Sequence, residues 1–414
     1  MKKILLSAYA CEPGRGSEPG VGWNFAVEIA KHHEVWVFTR ANNRNVIKAE
    51  MARNPIPNLH FAYHDLPAWA RWWKHGGRGV QLYYYLWQLS AYFPAGTLHK
   101  QVGFDIGHHV TFGRYWSPSF LALLPLPFIW GPVGGGEFIQ KNFLKEFPIK
   151  EGLAENLRSI AQQAALLDPL VRKTIKKAQL CLATTTETAN KLTKIGVSRV
   201  QVFPQVVLGP ETIQHTEKII SDEQSKQETI LIFLSIGRPL FWKGFHLGLK
   251  SFAEANIPDA KYIILTPKKG SSWIEKLVCE LKIQEKVEFI HHLQTMSDVY
   301  RLIHNSDILV HPALHEAFGN VVLEAMLLKK PVICLDCGGP GMLITQETGI
   351  KVSPITPEQT IQEIKTAMMN LAHNTATRRE MGQKARQRAV TIFSWAQKYQ
   401  ELSKIYEKAI NSKL

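Results

Sequence analysis

Leu314-His315-Glu316-Ala317-Phe318-Gly319-Asn320-Val321-Val322-Leu323-Glu324-Ala325-Met326 holds two carboxylates eight positions apart around a Phe-Gly turn. Before it, Asp307 to His311 is a short apolar run of the kind that fills a buried parallel strand. After it, the pattern predicts a helix from Val321 to Lys330 with Asn320 as N-cap, ended by two lysines and Pro331. Glu316 then sits in the loop at the strand's C-terminal end, and Glu324 about one turn into the helix. Between them lie backbone N–H groups at a helix N-terminus, where the dipole favours an anion. A ligand with hydroxyls at both ends and phosphates in the middle fits, and a nucleotide sugar is such a ligand.

Two further strand ends point to the same edge. Thr229 to Leu234 runs into Ser235-Ile-Gly-Arg-Pro-Leu-Phe-Trp-Lys-Gly244, which carries Gly237, Arg238 and Lys243. Lys330-Pro-Val-Ile-Cys-Leu-Asp-Cys-Gly-Gly-Pro-Gly341 is a third strand entering a glycine-rich loop. Three strand ends of one sheet deliver two cations, two carboxylates and bare backbone to one edge, which is where open α/β sheets bind ligands. Taken singly, each charge also suits an ordinary solvated surface.

In order and spacing, Arg238 with Lys243, the Glu316/Glu324 pair and Gly338-Gly339 resemble the C-terminal domain of family 4 retaining glycosyltransferases. The resemblance is strongest from Leu231 to Val352 and implies the α/β GT-B architecture, two Rossmann-like domains with a nucleotide-sugar cleft between them. It implies a nucleoside diphosphate sugar as donor, a saccharide or lipid-linked acceptor, no cofactor and no metal. Arg238 and Lys243 would neutralise the diphosphate, and Glu324 would take the ribose diol. Glu316 would hold the transferred sugar, beside the N–H groups of Phe318, Gly319 and Asn320. The expected activity is transfer of a hexose-type sugar to an acceptor hydroxyl with retention, in bacterial glycan or glycolipid synthesis. A nucleotide-sugar epimerase of the same fold and a non-catalytic carbohydrate- or lipid-binding protein are the rival readings; the intact set of four charged residues argues against the second.

The N-terminal face carries weaker signals. Ala8 to Trp23 is similar to a glycine-rich first loop of some of these enzymes, in which Gly14, Gly16, Gly20 and Gly22 would let the backbone approach donor phosphates or an anionic acceptor group. The family's Asp-x-x-His-x-His pattern appears as Asp105-Ile-Gly-His108-His109-Val110, so either His108 or His109 is placed to face the donor sugar. Trp130 to Glu137 is another glycine loop, expected to line the acceptor side. Phe203-Pro-Gln-Val-Val207 departs from the Asn-Gly usual after that proline.

A chain of 414 residues suits two domains. Strand and helix alternate: strands near Lys3–Tyr9, His33–Thr39, Leu59–Tyr63, Ile106–His109, Phe128–Trp130, Leu180–Ala183 and Val200–Phe203 imply a parallel sheet. Residues 1–210 read as the N-terminal, acceptor-side domain and 211–394 as the nucleotide-sugar domain, with polar Thr212 to Glu228 as linker. Residues 395–414 read as a helix that, by the resemblance, crosses back to the first domain. Five cysteines, an odd number mostly in strands, suit reduced cytoplasmic thiols, and Cys334-x-x-Cys337 stands without a second pair for zinc. Met1 to Ala10 is too short a run for a signal peptide and reads as the first strand. Leu121 to Trp130 is broken by two prolines, so no transmembrane helix is expected.

The formal charge is +14, and residues 1–210 hold 24 Lys+Arg against 13 Asp+Glu. That surplus suggests an anionic partner, either a membrane surface or a phosphorylated acceptor. Between Trp69 and Phe93, Trp69, Trp72, Trp73, Tyr83, Tyr84, Tyr85, Trp87, Tyr92 and Phe93 are interleaved with Arg71, Lys74 and Arg78. Membrane interfaces favour that mixture, so peripheral binding to an anionic inner membrane face is expected; an aromatic core helix or an acceptor groove would read the same way. Nothing else resembles a nucleic-acid module.

Overall fold

A computed structural model describes residues 1–74, 76, 79–205, 207–222 and 230–411. The chain divides into two compact units. The first comprises Met1–Gly136, Ala154–Gln205 and Tyr399–Leu414; the second comprises Glu137–Leu153 and Val206–Lys398.

In the first unit seven parallel strands lie in the order β3-β2-β1-β4-β5-β6-β7. They are β1 (Lys3–Ser7), β2 (Glu34–Arg40), β3 (Leu59–His64), β4 (Ile106–His109), β5 (Phe128–Val133), β6 (Leu180–Ala183) and β7 (Val200–Val202). β1, β4 and β5 are buried along their length or nearly so, which is why the apolar runs of β1 and β5 show no alternation of apolar and polar residues. The order reverses between β1 and β4, the position at which a doubly wound sheet opens a crevice.

The second unit holds six parallel strands in the order β10-β9-β8-β11-β12-β13. These are β8 (Leu231–Ile236), β9 (Ala260–Leu265), β10 (Val287–Ile290), β11 (Ile308–His311), β12 (Val332–Leu335) and β13 (Gly349–Val352). Phe233, Val310, Ile333 and Leu335 fill one buried cluster, Leu234, Leu309, Val332 and Cys334 another. Successive strand residues therefore feed opposite faces. Both units are Rossmann-like α/β layers, as the sequence pattern leads one to expect.

Several boundaries differ from the sequence reading. Pro210–Ser221 is a helix, so its residues are not linker. Ile213 and Ile220 pack against a core cluster of the second unit, Thr216 is buried on the same face, and Glu217 pairs with Arg386 at 3.0 Å. An i, i+3, i+7 stripe that narrow is easily read as polar chain. The rest of the supposed linker, 223–228, lies outside the described residues. Glu137–Leu153 belongs to the second unit, although the sequence reading keeps all of 1–210 together. No helix among the described residues is long and apolar enough to cross a membrane.

Candidate functional site

Lys243, Glu316 and Gly338 follow the C-terminal ends of β8, β11 and β12, which are neighbours in the sheet. Backbone contacts lock these three loops together. Leu314 N–H donates to the Trp242 carbonyl at 2.8 Å, and Gly339 N–H donates to the Glu316 carbonyl at 2.8 Å. A Cβ on Gly338 would stand 2.1 Å from that same carbonyl oxygen, and φ there is +57°. Only glycine lets the β12 loop buttress the Glu316 segment so closely. Gly244, at φ +71°, plays the same part between the β8 loop and Pro312.

The side chains that result form a compact charged cluster. The Lys243 ammonium and the Glu316 carboxylate are paired directly, each with less than a fifth of its side chain exposed. His311 Nε2, buried at the end of β11, lies 3.7 Å from the same carboxylate oxygen, too far for a hydrogen bond but within electrostatic reach. Burial pushes the Glu316 carboxyl up, yet His311 and the Lys243 charge outweigh it and hold the group well below the usual carboxylate range. His311 itself is pushed down by burial, against the pull of the Glu316 carboxylate.

Glu324 has the opposite character. It is half-buried and has no ion pair among the described residues, and burial raises its carboxyl to about 7. Its charge in turn helps burial to raise Tyr300 to about 12. Two carboxyl groups on one sheet edge thus hold different protonation states, the arrangement by which one site divides its roles. The helix between them runs from Asn320 to Leu327, and its N-cap is Gly319 at φ +72°, not Asn320. Among the described residues the N–H groups of Phe318, Gly319 and Asn320 make no hydrogen bond, which leaves three backbone donors at a helix start. Arg238 is exposed in the β8 loop beside Gly237 and has no ion pair among the described residues. Arg238, Lys243, Glu316 and Glu324 are thereby brought to one edge of one unit.

The first unit treats its expected site residues differently. His108 and His109 are both fully buried. His108 Nε2 donates to the Gly131 carbonyl at 2.7 Å, which leaves Nδ1 to accept from the Tyr406 hydroxyl at 2.7 Å. His109 contacts Ser119 Oγ at 2.9 Å and the Tyr84 hydroxyl at 3.2 Å. Burial lowers both, to about 4 and about 3, so both rings are neutral and fully engaged inside the unit. Both nitrogens of each ring thus have partners inside the unit, where the sequence reading places one of the rings toward the donor sugar. Gly20 and Gly22 likewise sit inside a helix, Ser17–Ala30, not in a loop. A Cβ on Gly20 would be 2.0 Å from the Arg15 carbonyl and one on Gly22 2.1 Å from that of Ala10, so these glycines admit the chain's own backbone. Glu18 fills the helix start, accepting the Phe112 N–H at 3.1 Å.

Residues 216–388 match the family described as glycosyl transferases group 1. This part of the chain is thus similar to the glycosyl transferases group 1. All four charged site residues fall within the group 1 region. Over 251 residues the chain is 24% identical to the MMP alpha-(1->4)-mannosyltransferase of Mycolicibacterium hassiacum, covering 58% of this chain and 59% of that one. The matched stretch thus spans little more than half the length of this curated relative. Sucrose-phosphate synthase from Thermosynechococcus elongatus has the same fold, with a TM-score of 0.68 at 16% identity over 100% of both chains. Anabaena HepE, solved in complex with UDP and glucose, gives 0.61 at 15% identity over 99% of this chain and 100% of that one. These structures establish the GT-B fold class expected from the sequence.

Sequence reasoning passed over His311, Tyr300 and Glu137. His311 was legible only as a strand residue, and nothing in its spacing announces that it faces Glu316. Glu137 is buried in the second unit with its side chain against Gly338, although in sequence it ends a glycine loop of the first half.

Proposed function

We propose that the protein is a retaining glycosyltransferase that moves a hexose-type sugar from a nucleoside diphosphate to an acceptor hydroxyl, in bacterial glycan or glycolipid synthesis. The observation that carries this reading is the meeting at one sheet edge of the paired Lys243 and Glu316 with Glu324, whose carboxyl burial raises to about 7, and with the backbone N–H donors of the helix start between the two carboxyls. The diphosphate would lie on Arg238 and Lys243, whose charges stabilise the nucleotide as the bond to the sugar breaks. Glu324 would accept from the ribose diol, and Glu316 from the sugar hydroxyls. The sugar–phosphate bond breaks, the acceptor oxygen bonds the same carbon from the same face, and the departing phosphate oxygen takes the acceptor proton. The family match and the UDP and glucose bound by Anabaena HepE support a donor of this class.

A thermal-shift panel of nucleoside diphosphates and nucleotide sugars tests the reading. A ligand at a hundredfold its Kd stabilises by about 2.7 kcal/mol. Transfer to an added acceptor separates a transferase from an epimerase or a non-catalytic binder. Because Arg238 and Lys243 occupy the place of a divalent ion, nucleotide binding and transfer should persist in excess EDTA. Complete loss, restored by magnesium or manganese, would overturn the metal-independent mechanism.

We also propose a cytoplasmic location with peripheral attachment to an anionic membrane face through residues 69–93. The aromatic residues there have divided duties. Trp69, Trp72 and Phe93 are largely exposed, at 79%, 73% and 71%, while Tyr83, Tyr84 and Trp87 are core and Trp73 packs against it. Arg78 lies outside the described residues. Wild-type protein should therefore sediment with anionic vesicles, less so as salt shortens the screening length to below about 8 Å. Trp69→Ser with Trp72→Ser should weaken sedimentation without changing the circular dichroism spectrum. A wild type that ignores anionic vesicles at low salt removes the membrane from the reading.

A further inference from the structure

At the C-terminal edge of the first unit's sheet, Tyr9 follows β1, Arg40 ends β2 and Asp65 follows β3, while Tyr83 lies in the first turn of the helix Val80–Val102. The Arg40 guanidinium stands over both rings, 5.1 Å from the Tyr9 centroid and 4.9 Å from that of Tyr83. Both tyrosines are at least nine-tenths buried, yet neither hydroxyl, nor Arg40 Nε, has a hydrogen-bond partner among the described residues. Arg40 lies close enough to Tyr9 to interact with its hydroxyl, but without a well-formed hydrogen bond among them three buried donors are costly unless something accepts from them. The one carboxylate nearby among the described residues is already engaged: Asp65 accepts from Arg71 at 3.3 Å and from the Leu66 N–H at 3.0 Å, and lies 3.9 Å from Arg40. Lys74 Nζ adds a third cation, 5.2 Å from the Tyr83 centroid. Three cations around one carboxylate leave a positive balance. Burial pushes Tyr9 up to about 12, so at neutral pH it keeps its proton and donates.

We propose that Tyr9, Tyr83 and Arg40 form a subsite for an oxyanion, a phosphate ester or a carboxylate. If the protein is the glycosyltransferase proposed above, the subsite selects an acceptor bearing that group. The three donors match an acceptor-only group, and the guanidinium supplies the compensating charge. A neutral sugar lacks the charge that the cluster answers.

Calorimetry on the whole protein with inorganic phosphate, glucose 6-phosphate, glucuronate and glucose tests this, with UDP titrated separately. At least one anionic probe should bind and glucose should not; the stronger of phosphate ester and carboxylate names the group. Tyr9→Phe and Tyr83→Phe should each weaken that binding about tenfold and Arg40→Gln more, since charge-assisted bonds are the strong ones. The two phenylalanine variants should also melt no lower than wild type without ligand, because each removes a buried hydroxyl that has no partner. A purely structural pair of tyrosines would show the reverse, lower melting with unchanged binding, and that result overturns the proposal. So does a wild type that binds none of the three anions. Failure of UDP to bind while an anion still titrates against Tyr9 and Tyr83 upholds the subsite and removes only its assignment to an acceptor.

Discussion

Glu316→Gln should reduce sugar transfer about 10²–10³-fold, the range for losing one preorganised electrostatic contact in a transition state. Affinity for free UDP should hold or rise over the same substitution. The wild-type carboxylate neutralises Lys243 directly, and glutamine releases that ammonium to a diphosphate. Transfer assays beside calorimetry separate the two quantities. If nucleotide affinity falls in step with transfer, Glu316 acts by anchoring Lys243 and not by holding the sugar. Acid stability carries a second signature. The folded Glu316 carboxyl lies below its unfolded value, so its contribution is present above the usual carboxylate range and is lost as pH falls through the folded value. Denaturant melts of Glu316→Gln should lack that acid-side loss.

Glu324→Ala should weaken nucleotide binding about 10²-fold, since hydrogen bonds to a charged group are worth about 1.5–3 kcal/mol. Wild-type affinity should climb about tenfold between about pH 6 and about pH 8, because the ribose diol needs the ionised carboxylate, which forms only near 7. Glu324→Gln should bind weakly and without that slope. The sign reverses for the protein alone. A carboxyl raised from 4.5 to about 7 loses stability as pH rises through that interval, by about 3 kcal/mol at most. Unliganded Glu324→Gln should therefore be the more stable protein above neutrality. Calorimetry across pH and melts without ligand check both signs, and a wild-type affinity that is flat in pH would dismiss the ribose role.

How far the sequence could be read follows from the range of the interactions involved. Leu180–Ala183 was legible because a buried parallel strand is a continuous apolar run, whereas Ile106–His109, with two histidines, was legible from its place in the strand–helix alternation. The placement of Arg238, Lys243 and Glu316 on one edge follows from their positions just past the ends of β8 and β11, and that of Glu324 from the helix that comes next. His108 was not, because its role is decided by Tyr406, 298 positions away. A histidine beside a strand end looks the same whether it meets a ligand or a buried hydroxyl. Gly20 and Gly22 were misread for a related reason: a missing Cβ serves a phosphate and a neighbouring carbonyl equally. The helix Pro210–Ser221 passed for linker because its polar residues outnumber its narrow apolar stripe. Glu324 was read only as the acceptor for the ribose diol; its raised titration comes from burial that no local pattern encodes.

The closing segment of the chain bears on how the protein is made. Tyr406 seals His108 inside the first unit, and Tyr399 stacks on His32 at 3.8 Å, so that unit is finished by side chains translated after almost all of the second. On a ribosome the usual order, N-terminal domain first, is inverted for its final step. The early sheet must wait, with the His108 pocket uncovered, while some two hundred further residues emerge at about 5–20 residues per second. The interval of greatest exposure to chaperones and proteases thus belongs to the half of the protein that is synthesised first.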